Sequence, residues 1–320
     1  MEEKKEVQKT IIPSQNNKVS EEEFFNVLKM VAPGTNFRTA LDNALKTGKG
    51  ALIVIENESL ARIMDGGFRV NCRFTPQRLV ELAKMDGAIV LSKDMKRIDY
   101  ANVLLTPDSH IKSSETGTRH KAAERTAKQM GNLVIAISER KHDITLFYKN
   151  IRYSIKKTEE VLRKSNEHIQ MLEKQRELFD ANISKLNKLE IRNYPSIHQA
   201  ILVIQKGKFI QKIAEDLKKY IVELGNEGTL LKTRLKEITS GIEKETNLTI
   251  KDYTKLDIKK SRTILENLSY DEILVIDNIL NALAYEKLIQ IEPIKGWRIL
   301  SKTSLPEADI AKLIKEKGTL

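Results

Sequence analysis

Amphipathic helical patterns alternate with short apolar runs along roughly the first 152 residues. Phe24, Val27 and Leu28 fall on one helical face behind Ser20, which is placed as an N-cap. Two further helices are predicted over "FRTALDNALKTG" and, from Pro76, over "FTPQRLVELAKM". The runs that predict strands are "ALIVIEN", "DGAIVLS", "RIDYANVLL", "NLVIAIS" and "ITLFYKN". This alternation predicts an α/β domain with a mixed sheet covered by helices.

The pattern changes after residue 152 to long, charged helical stretches. Breaks at Pro195 and Gly225 indicate helices that fold back on one another, which predicts an all-α helical spine. Beyond it, Ser269 is a candidate cap for a helix over "SYDEILVIDNILNALAYEKLI". The segment "GWRILSKTSLPEADIAKLIKEKG" predicts a short extended piece and then a helix that begins at a proline.

The predicted organisation has four parts. The polar segment before Ser20 has no sustained period and is expected to be a flexible arm. The pair of glycines in "MDGGFRVN" predicts a turn over residues 64–71. The predicted limits are 1–18 for the arm, 19–152 for the α/β domain, 153–270 for the helical spine and 271–320 for a short C-terminal region.

Charge and cysteine content narrow the class of protein. Lysine and arginine number 55 against 44 acidic residues, so the net charge is +11, which favours polyanionic partners such as nucleotides, nucleic acid or a membrane surface. The single cysteine, Cys72, cannot form an internal disulfide, and it is interpreted as a bystander and not a nucleophile. The first thirty residues are charged and no apolar stretch is long enough to span a bilayer. We therefore expect a soluble cytoplasmic protein with no membrane partner.

The segment "GTRHK" at 117–121 begins a predicted helix with three basic side chains. Gly117 lets a ligand approach the backbone closely, and a helix N-terminus carries partial positive charge, so the segment suits a phosphate. Arg119 can bind phosphate oxygens in a bidentate manner, Lys121 can act as a point charge and His120 can donate or shuttle a proton. The alternative is a solvated helix start whose cations pair with Glu115 and Glu124.

Two other polar segments stand next to predicted strands. In "DGA", Asp86 precedes a strand with no bulky neighbour, which suits a metal or a ribose, although Asp-Gly is also a common turn dipeptide. The trio that begins at Ser138 follows an apolar strand, where either a ligand site or a hairpin turn is natural. The sequence contains no P-loop, GxGxxG, zinc-ligand spacing or GxSxG elbow, so phosphate binding requires another arrangement.

Taken together, these segments resemble the diadenylate cyclase family over residues 22 to 150. The segments "YIVELGNEGTLLK" and "IKDY" extend the resemblance less tightly into the helical part. The pairing of DGA with Gly-x-Arg-His-x-x-x-Glu-Arg makes the resemblance specific. The matching segments are "MVAPGTNFRTALDNAL", "DGGFRVN", "ELAKMDGAIVLS", "YANVLLTPD", "SSETGTRHKAAERTAKQMGNLVIAISER" and "ITLFY".

The resemblance implies that two ATP molecules are condensed into cyclic di-AMP with release of two pyrophosphates. Cyclase domains of this family meet face to face, so a homo-oligomer, an octamer by resemblance, is implied. It also implies that Asp86, Arg119 and His120 are catalytic and that Asp86 holds Mg²⁺ or Mn²⁺ near the α-phosphate. The ATP-binding residues implied are Gly87, Ala88, Leu105 beside the adenine, Thr118, Arg119, His120, Lys121 and Ala122 along the triphosphate, and Ser138 near its outer end.

The sequence departs from the family pattern in two places. Lys121 stands where the family usually has arginine, which keeps the charge but loses the bidentate fork and predicts weaker ATP binding or slower turnover. The segment "SLPEADIAKLIKEKG" resembles the entry to a DNA-binding helix-hairpin-helix, but no glycine-containing hairpin follows. The C-terminal region is thus an incomplete helix-hairpin-helix-like region, and binding of branched DNA is expected to be weak. The alternative function is a DNA-binding or scaffold protein with a weakened or inactive cyclase domain.

Overall fold

The computed structural model describes residues 19–286 and 294–318, so the predicted arm at 1–18 lies outside the described residues. The chain divides into two compact units. The first contains the described residues up to Thr158 together with Val222–Glu227. The second contains Glu159–Ile221 and the described residues from Gly228 onward. The limits predicted from sequence, at 152 and 270, stay a prediction.

The first unit combines four complete α-helices and a short 3₁₀ helix (Leu60–Ile63) with eight strands in its described residues. Side-chain hydroxyls of Ser20, Thr35 and Thr75 accept backbone N–H groups at the starts of the first three helices. The helices are α1 (Glu21–Met30), α2 (Asn36–Lys46), α3 (Pro76–Leu82) and α4 (Thr118–Met130). The strands are β1 (Ala51–Ile55), β2 (Met64–Asp65), β3 (Phe68–Arg73), β4 (Ala88–Leu91), β5 (Arg97–Leu105), β6 (Leu133–Ser138), β7 (Asp143–Tyr148) and β8 (Ile151–Ile155).

The strands form one mixed sheet in the order β2-β5-β4-β1-β6-β7-β8, with β3 also paired to β5. Strands β1 and β4 are parallel, and the other pairs are antiparallel. Leu52 of β1 is opposite Ala88 of β4 on one side and Ala136 of β6 on the other. The starts of β1 and β4 and the end of β6 therefore share one edge of the sheet.

Both faces of this sheet are covered by helices, as the sequence predicts. One face packs Ile53 and Ile135 against α2 and α3, with Leu41 and Leu79 fully buried. The other face packs Val54, Val134 and Phe147 against Ala123 and Ala127 of α4. Because alternate strand residues point to opposite faces, both sides of the central strands are apolar. The mixed α/β fold class is thereby confirmed.

All regular elements described in the second unit are helices. The predicted breaks at Pro195 and Gly225 are confirmed, since α5 ends at Ile191, α6 ends at Leu224 and a 3₁₀ turn covers Gly225–Gly228. The helices after α4 are α5 (Thr158–Ile191), α6 (Ile197–Leu224), α7 (Thr229–Thr239), α8 (Ile242–Tyr253), α9 (Ile258–Asn267), α10 (Tyr270–Leu274), α11 (Ile276–Ala282), α12 (Trp297–Leu300) and α13 (Glu307–Lys317).

Three strands of the α/β unit, β2, β3 and β8, were not predicted. The turn predicted over residues 64–71 is confined to Gly66 and Gly67, which have φ of 60° and 76°, and the residues around them pair with β5. Strand β8 continues to Ile155, beyond the predicted start of the helical pattern at 153, and pairs with β7 along its whole length. Both segments become strands because they pair with a neighbouring strand, β5 or β7. The local pattern of apolar and polar residues does not reveal such a partner.

Two predictions for the C-terminal region are wrong. The helix expected after Ser269 is divided at Val275 into α10 and α11. The break frees the carbonyl oxygens of Ile273 and Leu274, which accept hydrogen bonds from Nε2 of Gln205 at 3.0 and 2.9 Å. Its predicted end, at 287–289, lies outside the described residues. The predicted extended piece contains α12, whose first N–H groups donate to the carboxylate of Asp252. The two partners, Gln205 and Asp252, lie far from these helices in the sequence.

Candidate active site

The start of α4 presents free backbone donors. Gly117 is its N-cap, with φ −82° and ψ 144°, and no side chain caps the helix there. The first bond within the helix runs from the N–H of Lys121 to the carbonyl of Gly117, at 2.8 Å. The N–H groups of Thr118, Arg119 and His120 therefore have no acceptor within the helix. Aligned donors at a helix N-terminus favour an anion.

The acidic residues around this helix start bind other cations. Glu115 forms an ion pair with Arg152 of β8. Glu124 accepts from the hydroxyl of Ser113 at 2.6 Å and from Nζ of Lys128 at 2.7 Å. Among the described residues, neither carboxylate pairs with the basic side chains of 119–121. The helix start is therefore not neutralised in the way the alternative interpretation requires.

A cavity of about 440 Å³ opens at this helix start. Of the predicted site residues, Thr118, Arg119, His120 and Ser138 line it. The other lining residues are Glu115, Thr116, Gly117, Glu139, Arg140, Lys141, Asp143, Thr145 and Arg152. Arg119, Arg140 and Lys141 offer positive charge to a polyanionic ligand, whereas Arg152 is already paired with Glu115.

Arg119 is positioned by a close approach to β1. A Cβ atom built on Gly50 would lie 1.8 Å from Nη1 of Arg119 and 3.0 Å from the carbonyl oxygen of Ile137. Any side chain at position 50 would thus displace the guanidinium. Gly50 carries no recognisable signal in the sequence, because its neighbour Arg119 is nearly seventy residues away in the chain.

Ser138 is both a turn residue and a residue of the cavity. It ends β6, and its hydroxyl accepts from the N–H of Lys141 at 3.1 Å in the turn that leads to β7. The two interpretations of this segment are therefore compatible. The hairpin turn is what brings Arg140 and Lys141 to the cavity.

His120 is half-buried beside the cavity. Burial is the largest influence and lowers the pKa of its imidazole below the ordinary value of 6.5, whereas Glu115 and Asp143 oppose that shift. Its ring meets Phe147 edge to face at a centroid separation of 6.3 Å. The imidazole is thus mainly neutral at pH 7, with one nitrogen able to donate and the other able to accept.

Two residues at the start of β7 were missed by the sequence analysis. Thr145 is fully buried, and its hydroxyl has no hydrogen-bond partner within the described part of the chain. Oδ1 of Asp143 is also buried and unpartnered there. Both residues line the cavity. Buried polar atoms without partners are uncommon and often mark functional sites, but "DITLFY" alone reads as an ordinary strand.

Asp86, Gly87 and Ala88 lie at the same edge of the sheet as Ser138. Ala88 aligns with Leu52, which aligns with Ala136, two residues before Ser138. Strands β4 and β6 are two positions apart, so these ends are separated by roughly 10 Å. Asp86 is exposed, and Gly87 has φ +88° with Asn102 close to the position of a Cβ. These three residues do not line the cavity, although they share its edge.

The remaining predicted ATP-binding residues also lie outside the cavity wall. Leu105 is 7% exposed and packs in the apolar core, whereas its neighbour Leu104 is 59% exposed. Lys121 and Ala122 are partly buried on α4 and do not line the cavity. Their roles, like those of the other site residues, stay a prediction.

The protein's own donors fit a metal ion only in part. Among the described residues, no cluster of three histidine, cysteine or acidic side chains could hold one. Asp86 offers an exposed carboxylate at the sheet edge. Mg²⁺ is commonly bound by one or two carboxylates together with substrate phosphates and water. The donor set therefore fits an ion that shares its ligands with a bound triphosphate.

Comparison with known proteins identifies both parts of the chain. A protein-family model described as "DisA bacterial checkpoint controller nucleotide-binding" matches residues 38–151, and one described as "DisA bacterial checkpoint controller linker region" matches residues 155–291. A DNA integrity scanning protein DisA from Clostridioides difficile (strain 630) is 42% identical over 295 residues, or 90% of this chain and 83% of the relative. The chain belongs to the DisA family of diadenylate cyclases.

Other DisA proteins match over similar spans. The DisA of Acetivibrio thermocellus is 40% identical over 310 residues, covering 94% of this chain and 86% of that protein. The DisA of Bacillus subtilis (strain 168) is 40% identical over 305 residues, covering 92% and 84%. The residues of the cavity, and Asp86 at the sheet edge, all lie within the match to the DisA nucleotide-binding domain, except Arg152, one residue beyond it. None of the helices that the structure describes is both long enough and apolar enough to span a membrane.

Proposed function

We propose that this chain is a diadenylate cyclase that binds ATP at the start of α4 and condenses two ATP molecules into cyclic di-AMP. The observation that carries the proposal is the gathering of Arg119, His120, Ser138 and Asp86 at one edge of the sheet, within the match to the DisA nucleotide-binding domain. In each half of the reaction a ribose 3′-hydroxyl attacks an α-phosphorus, the bond to pyrophosphate breaks and the hydroxyl proton leaves. Two such steps close the ring and release two pyrophosphates.

The triphosphate lies against the N-terminus of α4 in this proposal. The free N–H groups of Thr118, Arg119 and His120 supply aligned donors, and the Arg119 guanidinium, held over Gly50, binds phosphate oxygens. Ser138, with Arg140 and Lys141 in the adjoining turn, receives the outer phosphates. Because pyrophosphate departs with negative charge, these cations stabilise the leaving group.

His120 acts as a neutral hydrogen-bonding group in this site. Its lowered pKa leaves one ring nitrogen free to accept a proton and the other to donate to a phosphate oxygen. Asp143 stands on the cavity wall as a candidate partner that orients the ring. The imidazole thereby positions the α-phosphate without adding a second full cation beside Arg119.

Asp86 is the proposed ligand of Mg²⁺ or Mn²⁺. A divalent ion bound there supplies charge neutralisation at the α-phosphate and lowers the pKa of the attacking hydroxyl. The carboxylate is exposed at the sheet edge, where a triphosphate can provide the other oxygen ligands. Gly87 and Ala88 add no bulk beside the nucleotide.

Ring closure requires two copies of the domain in reciprocal positions. Each copy holds one ATP, and a two-fold arrangement presents each 3′-hydroxyl to the other α-phosphate. We therefore propose a homo-oligomer of paired cyclase domains, with the octamer implied by the family as its full form. We place this activity in the cytoplasm, where ATP is available.

Weak, salt-dependent binding of branched DNA is a further part of the proposal. The relatives are named DNA integrity scanning proteins, and the net charge of +11 favours polyanions. The alternative of a scaffold with an inactive cyclase domain is not favoured, because the residues of the proposed site are present and share one edge of the sheet.

The experiment that tests the proposal compares Asp86→Asn with wild type. Both proteins are incubated with ATP and Mg²⁺ or Mn²⁺, and cyclic di-AMP is quantified by mass spectrometry. We expect the variant to lose about 100-fold or more in rate while it retains its fold, because Asp86 is exposed. The matched control is Glu58→Gln, an exposed carboxylate beyond the opposite end of β1. Equal rates for Asp86→Asn and wild type would contradict the assignment of Asp86.

A further inference from the structure

A second cavity, of about 350 Å³, lies within the helical unit. Its wall comes from α6, from α8 and the preceding end of α7, and from α9. Positions 208, 211, 215 and 218 of α6 follow helical spacing, as do 243 and 247 of α8 and 262 and 266 of α9. The lining residues are Lys208, Ile210, Gln211, Ala214, Glu215, Lys218, Thr239, Ile242, Glu243, Asn247, Arg262 and Glu266.

Lys208 is the deepest charged group of this cavity. Its side chain is 7% exposed, and its Nζ forms a long ion pair with Oε1 of Glu266, at 3.9 Å. Within residues 19–286 and 294–318, no acceptor lies at hydrogen-bond distance from Nζ. Burial is the main influence on its pKa and lowers it from the ordinary value of 10.5. Lysine is rarely buried without a bonded partner, because the ammonium loses its hydration.

Two neighbouring donors in the described chain also lack a hydrogen-bond partner. Nε2 of Gln211, one turn along α6 from Lys208, and Nε of Arg262 on α9 are buried and have no hydrogen-bond partner in the described chain. The cavity thus brings together an ammonium, an amide and a guanidinium that have unused donor capacity. An oxyanion would satisfy such a set, since each of its oxygens accepts more than one hydrogen bond.

The acidic side chains of the cavity lie farther out than the buried lysine. Glu215 and Glu243 are exposed, and the side chain of Glu266 is 65% exposed. An anionic head can therefore lie against Lys208 while the rest of the molecule faces carboxylates. Carboxylates accept hydrogen bonds, so that outer part must carry hydroxyl or amino groups.

We propose that this cavity binds a small molecule with an oxyanion head, a phosphate or a carboxylate, and hydrogen-bond donors on its outer part. The head contacts Lys208, Gln211 and Arg262, and the outer donors face Glu215, Glu243 and Glu266. This site is separate from the ATP site, because all its residues belong to the helical unit. It adds a ligand to the part of the chain that matches the linker region.

Hydrogen exchange of the full chain, read by mass spectrometry, tests this site. Inorganic phosphate and acetate are the two probes, each compared with chloride at equal ionic strength. We expect peptides from α6 and α9 around Lys208 and Arg262 to exchange about twofold more slowly when the concentration of free probe equals its dissociation constant. Protection by phosphate alone assigns a phosphate head, protection by acetate alone a carboxylate, and protection by both a general oxyanion site.

Three variants make the test specific. Lys208→Met must abolish the protection, whereas Lys219→Met, on the same helix and outside the cavity, must keep it. Arg119→Gln must also keep it, which separates this site from phosphate binding at the cyclase cavity. Arg262→Gln provides a second loss-of-binding variant should Lys208→Met fold poorly. Absence of protection with both probes, or equal protection in wild type, Lys208→Met and Arg262→Gln, would overturn the proposal.

Discussion

Glycine at position 50 leaves the space that the Arg119 guanidinium occupies. A methyl group there would overlap Nη1, so Gly50→Ala should push Arg119 out of the cavity. Loss of a charge-assisted contact worth about 1.5 kcal/mol corresponds to a KM for ATP that is roughly tenfold higher. Steady-state kinetics with ATP measures this change.

A double variant provides the control for Gly50. In an Arg119→Gln background, Gly50→Ala has no guanidinium to displace and should change KM little further. Additive effects of the two substitutions would show that Gly50 acts through the sheet and not through Arg119.

Lys121 is the second residue with a testable consequence. The resemblance implies an arginine at this position, and lysine keeps the positive charge without the bidentate fork. We predict that Lys121→Arg strengthens ATP binding or speeds turnover by about threefold, measured as kcat and KM. Lys29→Arg on α1 is the control. Unchanged rate and apparent ATP affinity in Lys121→Arg would refute the prediction.

The residues of the proposed site could be predicted from sequence only where they form a motif. "GTRHK" and "DGA" are each a run of consecutive residues, so their chemistry can be recognised from the sequence. The ion pair of Glu115 with Arg152 and the cavity positions of Asp143 and Thr145 depend on strands β7 and β8 returning beside α4. Such neighbours are created by the sheet and leave no local signal.

At the scale of elements, α12 is held by a buried polar network. Arg298 is fully buried, pairs with the buried Glu190 of α5 and donates to Oδ1 of Asn187 at 2.6 Å. The hydroxyl of Tyr253 donates to the same Glu190 at 3.0 Å. Asp252 accepts the first N–H groups of α12, and burial raises the pKa of its carboxyl to about 6.

Removing the cation of this network should destabilise the helical unit. Arg298→Met leaves the buried Glu190 without its cationic partner, and we expect the free energy of unfolding to fall by about 3–5 kcal/mol. Urea unfolding can be followed by the fluorescence of Trp297, the single tryptophan of the chain.

Two comparisons separate the charge effect from lost packing. Lys302→Met changes an exposed cation one turn away and should cost less than about 1 kcal/mol. Adding Glu190→Gln to Arg298→Met should recover much of the loss, because the uncompensated charge is then gone. No recovery would show that packing dominates.

Elements with a strong intrinsic pattern were predicted well. Strand β5 occupies the predicted "RIDYANVLL", and α3 begins at Pro76 behind Thr75. Strand β8, the break at Val275 and the helix at Trp297 were missed. Each depends on a distant partner, namely β7, Gln205 and Asp252. Local propensity is a weak guide wherever such a partner decides the backbone.

At the scale of the whole molecule, two units carry two kinds of site. The α/β unit contains the cavity proposed for ATP, and the helical unit contains the cavity around Lys208. The spread of identity over at least 90% of the chain in the three relatives shows that both units belong to one family architecture. The basic net charge is consistent with polyanionic ligands but does not distinguish ATP from DNA.

In the proposed reaction, paired copies of this chain close two ATP molecules into one ring. The most direct measurement is to incubate the purified wild-type chain with ATP and Mg²⁺ or Mn²⁺ and to quantify cyclic di-AMP and pyrophosphate in the same sample. We expect one cyclic di-AMP for every two pyrophosphates, since each ring closure breaks two bonds to pyrophosphate. A protein that binds ATP and yields neither product with either metal would contradict it.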